Sequence, residues 1–177
     1  MKLIILDRDG TINQDSDQYI KSPSEWKPIP GSLQAIARLN QAGWRVVVAT
    51  NQSGIARGLF DMAALNAIHA EMHRAVSLAG GRIDAIFFCP HAAASGCECR
   101  KPKPGLLLEI ASRMDVVLAE VPMVGDSLRD LEAAAAAGAK PYLVLTGKGK
   151  KTRDAGGLPQ GTQVFADLGA VAARLAP

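Results

Sequence analysis

Leu3-Ile4-Ile5-Leu6-Asp7-Arg8-Asp9-Gly10-Thr11 is the stretch that decides the fold. Four apolar residues run without interruption, and the chain then turns to two carboxylates and a glycine. A strand with one wet face alternates apolar and polar residues. A continuous apolar run suits a strand covered on both faces, as in a parallel sheet. The sign recurs in Val46-Val47-Val48-Ala49. Strands are expected over Leu3–Leu6, Arg45–Ala49, Ala85–Cys89, Pro122–Val124 and Tyr142–Leu145. Between them, apolar residues recur at helical spacing, and helices are expected over Ser32–Ala42, Asp61–Ala79, Pro104–Met114, Leu128–Ala137 and Leu168–Leu175. Glycine follows several of these at the left-handed cap position. Strand and helix in alternation give an α/β architecture with a mainly parallel sheet and right-handed crossovers: a three-layer, Rossmann-like domain. Such sheets bind ligands beyond the carboxyl ends of their strands, where strand order reverses. Chemistry is therefore expected just after the strand runs.

The 177 residues correspond to one domain, 1–177, by the usual scaling of about 150 residues per domain. Hydrophobic residues make up 48% and charged residues 21%, which excludes a disordered chain. Apolar runs fall short of the roughly 20 residues a bilayer span needs, and the start of the chain lacks a signal-peptide core. The expectation is a soluble, cytoplasmic protein. A net charge of +3 and 5% aromatic residues offer no platform for nucleic acid. The basic run Lys148–Arg153 reads as a solvated loop. No oligomer seam is legible, and a monomer is expected.

Asp7 and Asp9 stand two apart at a strand end, where one acid can attack and the other can exchange a proton. Alone, the motif also fits an ordinary turn. A calcium loop is excluded, because its twelfth position, counted from Asp7, is Gln18 rather than glutamate. Thr50-Asn51-Gln52-Ser53 follows the second run with hydroxyls and amides suited to phosphate oxygens, although by itself it reads as a polar turn. Asp126 and Asp130 follow the Pro122–Val124 run, where Asp126 can cap a helix or hold a hard cation. All three cysteines lie in Cys89-Pro90-His91 and Cys97-Glu98-Cys99. Three thiolates and one imidazole make a closed tetrahedral set suited to structural zinc, which would brace the Ala92–Gly96 loop. His69 and His73 lie four apart on a helix without a third ligand, so they read as exposed or half-buried helix residues. Trp26 and Trp44 read as packing residues, with Trp26 also a candidate for lining the substrate entry.

Taken in order, these motifs resemble the haloacid dehalogenase-like phosphohydrolase superfamily over essentially the whole chain. The resemblance implies magnesium-dependent phosphomonoester hydrolysis through an aspartyl-phosphate. Asp7 would be the nucleophile and Asp9 the general acid and base. Thr50 and Asn51 would hold the phosphoryl group, and Lys101, rather than Lys103, would neutralise it. Magnesium would sit on Asp7, the Asp9 carbonyl and Asp126, with Asp130 in support. Asp9 and Thr50 are 41 positions apart, and Thr50 and Lys101 are 51 apart. Neither interval has room for a cap domain, so Asn13–Pro30 would form the mouth of the site together with the zinc loop.

The runs Asn51-Gln52-Ser53-Gly54-Ile55-Ala56-Arg57-Gly58 and Cys99-Arg100-Lys101-Pro102 resemble the subfamily of heptose-bisphosphate and histidinol-phosphate phosphatases. This likeness implies removal of the C7 phosphate from D-glycero-D-manno-heptose 1,7-bisphosphate, a step toward ADP-heptose and the lipopolysaccharide core. Arg100, Gln52 and Ser53 would then contact substrate, and Arg57 would stand at the mouth. Histidinol phosphate is the rival substrate, since Asp15, Asp17 and Glu25 can supply an acidic wall for its amine. A polynucleotide-end phosphatase is a more distant rival. A rival of another class is a non-catalytic, zinc-braced binding module.

Overall fold

The computed structural model describes residues 1–177. Six strands, β1 (Leu3–Leu6), β2 (Arg45–Asn51), β3 (Ala85–Cys89), β4 (Pro122–Gly125), β5 (Lys140–Val144) and β6 (Gln163–Phe165), form one sheet in the order β3-β2-β1-β4-β5-β6. Every pairing is parallel. Strand order reverses between β1 and β4, the place where a doubly wound sheet opens a crevice.

The apolar runs do what two-faced burial requires. Successive side chains of a strand point to opposite faces. Ile4, Leu6, Val46 and Val48 therefore enter one core, and Leu3, Ile5, Val47 and Ala49 enter the other. Helices α1 (Ser32–Gln41), α2 (Met62–Leu78) and α6 (Leu168–Leu175) cover the first face through Ile36, Leu39, Ile68, Met72 and Val171. Helices α3 (Gly105–Met114) and α4 (Leu128–Ala137) cover the second through Leu106, Leu107, Ile110 and Ala133. The three layers expected from the sequence are present. No helix is long and apolar enough to cross a membrane.

Two elements depart from expectation. β6 is three residues at a sheet edge, two of them exposed, and such a strand leaves no apolar pattern to read. The basic run is not a loop. Gly149–Ala155 forms a seven-residue helix, α5, without an apolar stripe. Tertiary hydrogen bonds hold it in place: Thr152 Oγ1 donates to the Asp126 carbonyl at 2.7 Å, and the Lys148 N–H at its start donates to the Asp126 carboxylate at 2.7 Å. Trp26 is a packing residue, as read from the sequence. It is buried in the core with Ile12, Ile20 and Ile68 and does not line an entry.

Candidate active site

β1 delivers Asp7 to the switch point, where its N–H donates to the Val124 carbonyl of β4 at 2.8 Å. The chain then turns at Gly10, whose φ of +84° favours glycine and whose missing side chain makes room for the Asp126 carboxylate. Asp126 follows β4, and Ser127 caps α4. Asp130 closes the capping box, with Oδ2 accepting from Ser127 N–H at 3.1 Å and Oγ at 2.8 Å. That leaves Asp130 Oδ1 free to face the site.

Lys101 enters from the loop before α3 and is 2% exposed. Its Nζ donates to Asp7 Oδ1 at 2.9 Å, Asp130 Oδ1 at 2.6 Å and the Ala49 carbonyl at 2.8 Å. All three ammonium protons are thereby placed. Asn51 fixes the lysine's own backbone, accepting from Lys101 N–H at 3.1 Å and donating to its carbonyl at 3.0 Å. Lys103 points to solvent and pairs with Glu98 at 3.0 Å. The geometry therefore brings Lys101, and not Lys103, to the carboxylates.

Carboxylate oxygens of Asp7, Asp126 and Asp130 lie within 4.8 Å of one another. One lysine cannot neutralise three buried acids. Burial, and then the neighbouring Asp130, raise the Asp7 carboxyl well above the usual range, and the same two causes push Asp126 up to about 7. Such a cluster of oxygen donors with uncompensated negative charge fits a hard divalent cation.

Asp9 is in a different environment. Arg8 grips it with a fork, Nε to Oδ1 at 3.0 Å and Nη2 to Oδ2 at 3.2 Å. Asn13 Nδ2 reaches Oδ1 at 2.9 Å, and Gln52 Nε2 reaches Oδ2 at 3.3 Å. Burial would raise this carboxyl, but the charge and hydrogen bonds of Arg8 outweigh it and hold Asp9 below the ordinary value. Gln52 also donates to the buried Thr50 hydroxyl at 2.9 Å, so the segment after β2 reaches both Asp9 and the lysine loop.

Sequence reasoning missed Arg8, Asn13 and the site-side role of His69. His69 is not an exposed helix residue. It is buried on α2, with Nε2 3.2 Å from Arg8 Nη1. Burial, and then the nearby Arg8 charge, lower its pKa to about 3. His73, one turn on, faces solvent as expected. The only available signal for Arg8 was its place between two motif acids, where a basic residue also fits a surface turn.

The cleft over these groups measures about 290 Å³, a volume for a small metabolite. Asp15, Ser16, Asp17 and Tyr19 form one wall, as expected of the Asn13–Pro30 segment. Lys148 crosses to this wall and pairs with Asp15 at 3.2 Å and Asp17 at 3.6 Å. Glu25 is tied to Lys21 and does not line the cleft. Arg57, Arg100 and Arg129 line it without any carboxylate partner. Arg57 stacks 5.9 Å from the Tyr19 ring, and Arg100 Nη1 reaches the His91 carbonyl at 3.4 Å. Ser53 lines the same cleft, while Arg129 escaped the sequence reading.

Cys89, His91, Cys97 and Cys99 gather at the end of β3. His91 turns Nδ1 inward, 3.5 Å from Cys89 Sγ and 3.3 Å from Cys99 Sγ, and Cys89 and Cys97 sulfurs are 3.7 Å apart. A tetrahedral zinc with bonds of about 2.0–2.3 Å has ligand edges of roughly 3.5–3.8 Å; these three separations are close to that, while the Cys89 and Cys99 sulfurs, 2.9 Å apart, would have to spread to admit the ion. Burial raises the Cys89 thiol and pushes Cys99 up to about 12, whereas a hydrogen bond with Ser95 lowers Cys97 to about 6, so Cys89 and Cys99 are the two thiols that would give up their protons to a metal. Changes around a metal site commonly cost about 10–100-fold in affinity, so Cys97→Ser is expected to lower zinc affinity by at least that factor and loosen Ala92–Gly96. Zinc analysis and limited proteolysis read the result. Full zinc content and unchanged cleavage would refute the brace.

Comparison with known proteins gives a consistent picture. The HAD-hydrolase-like family model matches residues 98–171. The D-glycero-beta-D-manno-heptose-1,7-bisphosphate 7-phosphatase of Bordetella bronchiseptica is 67% identical over 99% of this chain and 98% of its own length. The protein of that name from Pseudomonas putida is 56% identical over 99% of each chain. A crystal structure of the D,D-heptose 1,7-bisphosphate phosphatase from B. bronchiseptica, complexed with magnesium and phosphate, superposes with a TM-score of 0.98 over 99% of this chain and 98% of that one, at 67% identity. A crystal structure of the D,D-heptose 1,7-bisphosphate phosphatase from Burkholderia thailandensis, 56% identical, gives a TM-score of 0.80 over 99% of this chain and 98% of that one.

Proposed function

Since the chain belongs to the haloacid dehalogenase-like phosphatases, in the family of the heptose-1,7-bisphosphate 7-phosphatases, we propose that residues 1–177 form one such domain and release the C7 phosphate of D-glycero-β-D-manno-heptose 1,7-bisphosphate. The observation that carries this reading is the cleft itself. A buried Asp7–Lys101–Asp130 cluster lies at its floor, and three arginines without acidic partners line it.

We assign the steps to these residues. Asp7 attacks the phosphorus in line and becomes an aspartyl-phosphate, while the C7 oxygen leaves with a proton from Asp9. Asp9, now ionised, draws a proton from water, which attacks the phosphorus and frees Asp7 and inorganic phosphate. An anionic nucleophile meets an anionic ester, so charge neutralisation decides the rate. Lys101 lies between Asp7 and Asp130, and Thr50 offers its hydroxyl to the same group. Bound magnesium, on Asp7, Asp126 and the Asp9 carbonyl, supplies further positive charge at the phosphoryl oxygens. We assign Arg100, with Arg57 and Arg129, to the anomeric phosphate that does not react, and Gln52 and Ser53 to nearby contacts. The closed Cys89–His91–Cys97–Cys99 set is assigned to structural zinc. A complete cleft from one chain supports a monomer, and cysteines gathered as metal ligands rather than paired in disulfides support a reducing cytoplasm.

Histidinol phosphate would present an amine where the cleft presents arginines. The acids invoked for it, Asp15 and Asp17, are occupied by Lys148. Phosphate release with magnesium should therefore favour the heptose bisphosphate in kcat/KM by about 100-fold, or ~2.7 kcal/mol. A preference for histidinol phosphate would overturn the substrate assignment and leave the chemistry in place. The β over α preference at C1 is checked in the same assay.

A further inference from the structure

Arg8 is the largest fully buried side chain in the protein, and no step assigned above uses it. A buried guanidinium needs partners for its five N–H groups. It has three: Nε and Nη2 on the two oxygens of Asp9, and Nη1 on His69 Nε2. The first two alone could be a local ion pair. The third comes from α2, none of whose residues lines the cleft, and it fixes the far end of the fork.

The chemical nature of that third partner is informative. A carboxylate at position 69 would compete with Asp9 for the guanidinium. His69 is neutral at working pH and offers one lone pair, so it orients Arg8 without bringing a second anion to compete with Asp9 for the fork. Accepting through Nε2 places the ring proton on Nδ1. Asn13 and Gln52 complete the cage around the Asp9 oxygens.

We propose that Arg8 and His69 are positioning residues that aim the Asp9 carboxyl at the leaving-group oxygen. The inference rests on the assignment of Asp9 as general acid. A well-placed general acid contributes about 10²–10⁴-fold, and it does so only where the leaving oxygen needs a proton. A primary alcohol needs it, and p-nitrophenolate does not. Loss of aim must therefore act selectively on leaving groups, which general damage to the fold would not do.

The test measures kcat/KM, which reports steps through leaving-group departure, on heptose 1,7-bisphosphate and p-nitrophenyl phosphate. For Arg8→Met the sugar ester should lose about 100-fold, and p-nitrophenyl phosphate less than about fivefold. His69→Leu should show the same selectivity at about tenfold, and His69→Gln, whose amide can accept at the same place, should recover to within about threefold. Equal losses on both esters in all three variants, or no loss, would overturn the proposal. If Arg8→Met does not fold, the contrast between His69→Leu and His69→Gln decides alone. Wild-type activity on the heptose ester is the separate check on the substrate. If that activity is absent, fructose 1,6-bisphosphate serves as the primary sugar ester, so the two ideas fail independently.

Discussion

Asp7→Asn is expected to lower kcat by on the order of 10⁴-fold or more while the protein stays folded. The amide keeps the shape of the carboxylate but cannot attack phosphorus. It also removes one of three crowded negative charges, since burial and Asp130 already disfavour ionisation of Asp7. In magnesium-free buffer the variant should therefore melt no lower than the wild type. Stopped assays for phosphate, with acid-quench trapping of phosphoenzyme, check the first point, and thermal melts check the second. Retention of a tenth of wild-type activity would remove Asp7 from the chemistry, and with it the aspartyl-phosphate route. Loss of activity with an unchanged melt, and with no trapped phosphoenzyme, would count against the non-catalytic binding module.

Lys101→Met should have the second largest effect, on the order of a 10³-fold loss in kcat, because the transferring group loses a preorganised positive charge held by a buried side chain. Here stability should also fall. Breaking a buried ion pair from one side typically costs about 3–5 kcal/mol, and the variant leaves Asp7 and Asp130 facing each other. Protonation of Asp7, which burial and Asp130 already favour, relieves some of that cost, so the drop should shrink as pH is lowered. For the lysine itself, burial opposes its charge but Asp130 and Asp7 outweigh burial, and its pKa is raised. The sign follows directly. A raised folded-state pKa means that the stabilisation is fully present below the ordinary lysine value of about 10.4 and is lost only as pH rises through the folded value. The wild type thus keeps it throughout the working range. Lys103→Met is the control, since Lys103 lies outside the cleft on Glu98, and its kcat should stay within about twofold, as surface changes usually have small effects. If Lys103→Met were the damaging change, the lysine assignment would reverse.

Much of this architecture is legible in the residues because the physics involved is local. Leu3–Leu6 and Val46–Ala49 read as doubly buried strands because burial on both faces leaves no room for a polar alternate. Helices α1, α2 and α4 showed their apolar spacing and their glycine stops. The order of acids, threonine and lysine at strand ends was likewise sufficient to expect a phosphoryl-transfer site, since a parallel sheet must bring its carboxyl ends together. Lys148 shows where this reading stops. It is an ordinary surface residue by composition, and only the meeting of the loops after β1 and β5 made it a tie between two walls.

Four matters depended on three dimensions. The choice between Lys101 and Lys103 rests on which ammonium is buried, and residues two apart cannot be told apart by pattern. The inward nitrogen of His91 is set by how its ring meets Cys89 and Cys99. The short elements α5 and β6 form because neighbours hold their backbones, not because they bury apolar faces of their own. The link from His69 to Asp9 spans 61 residues between His69 and Arg8. By itself, the sequence determined which layers form and which chemistry gathers at their edge, because hydrophobic periodicity and strand-end placement are short-range rules. Only the tertiary structure decided which charge faces which, because electrostatic partners are chosen by distance in space and by exclusion from water.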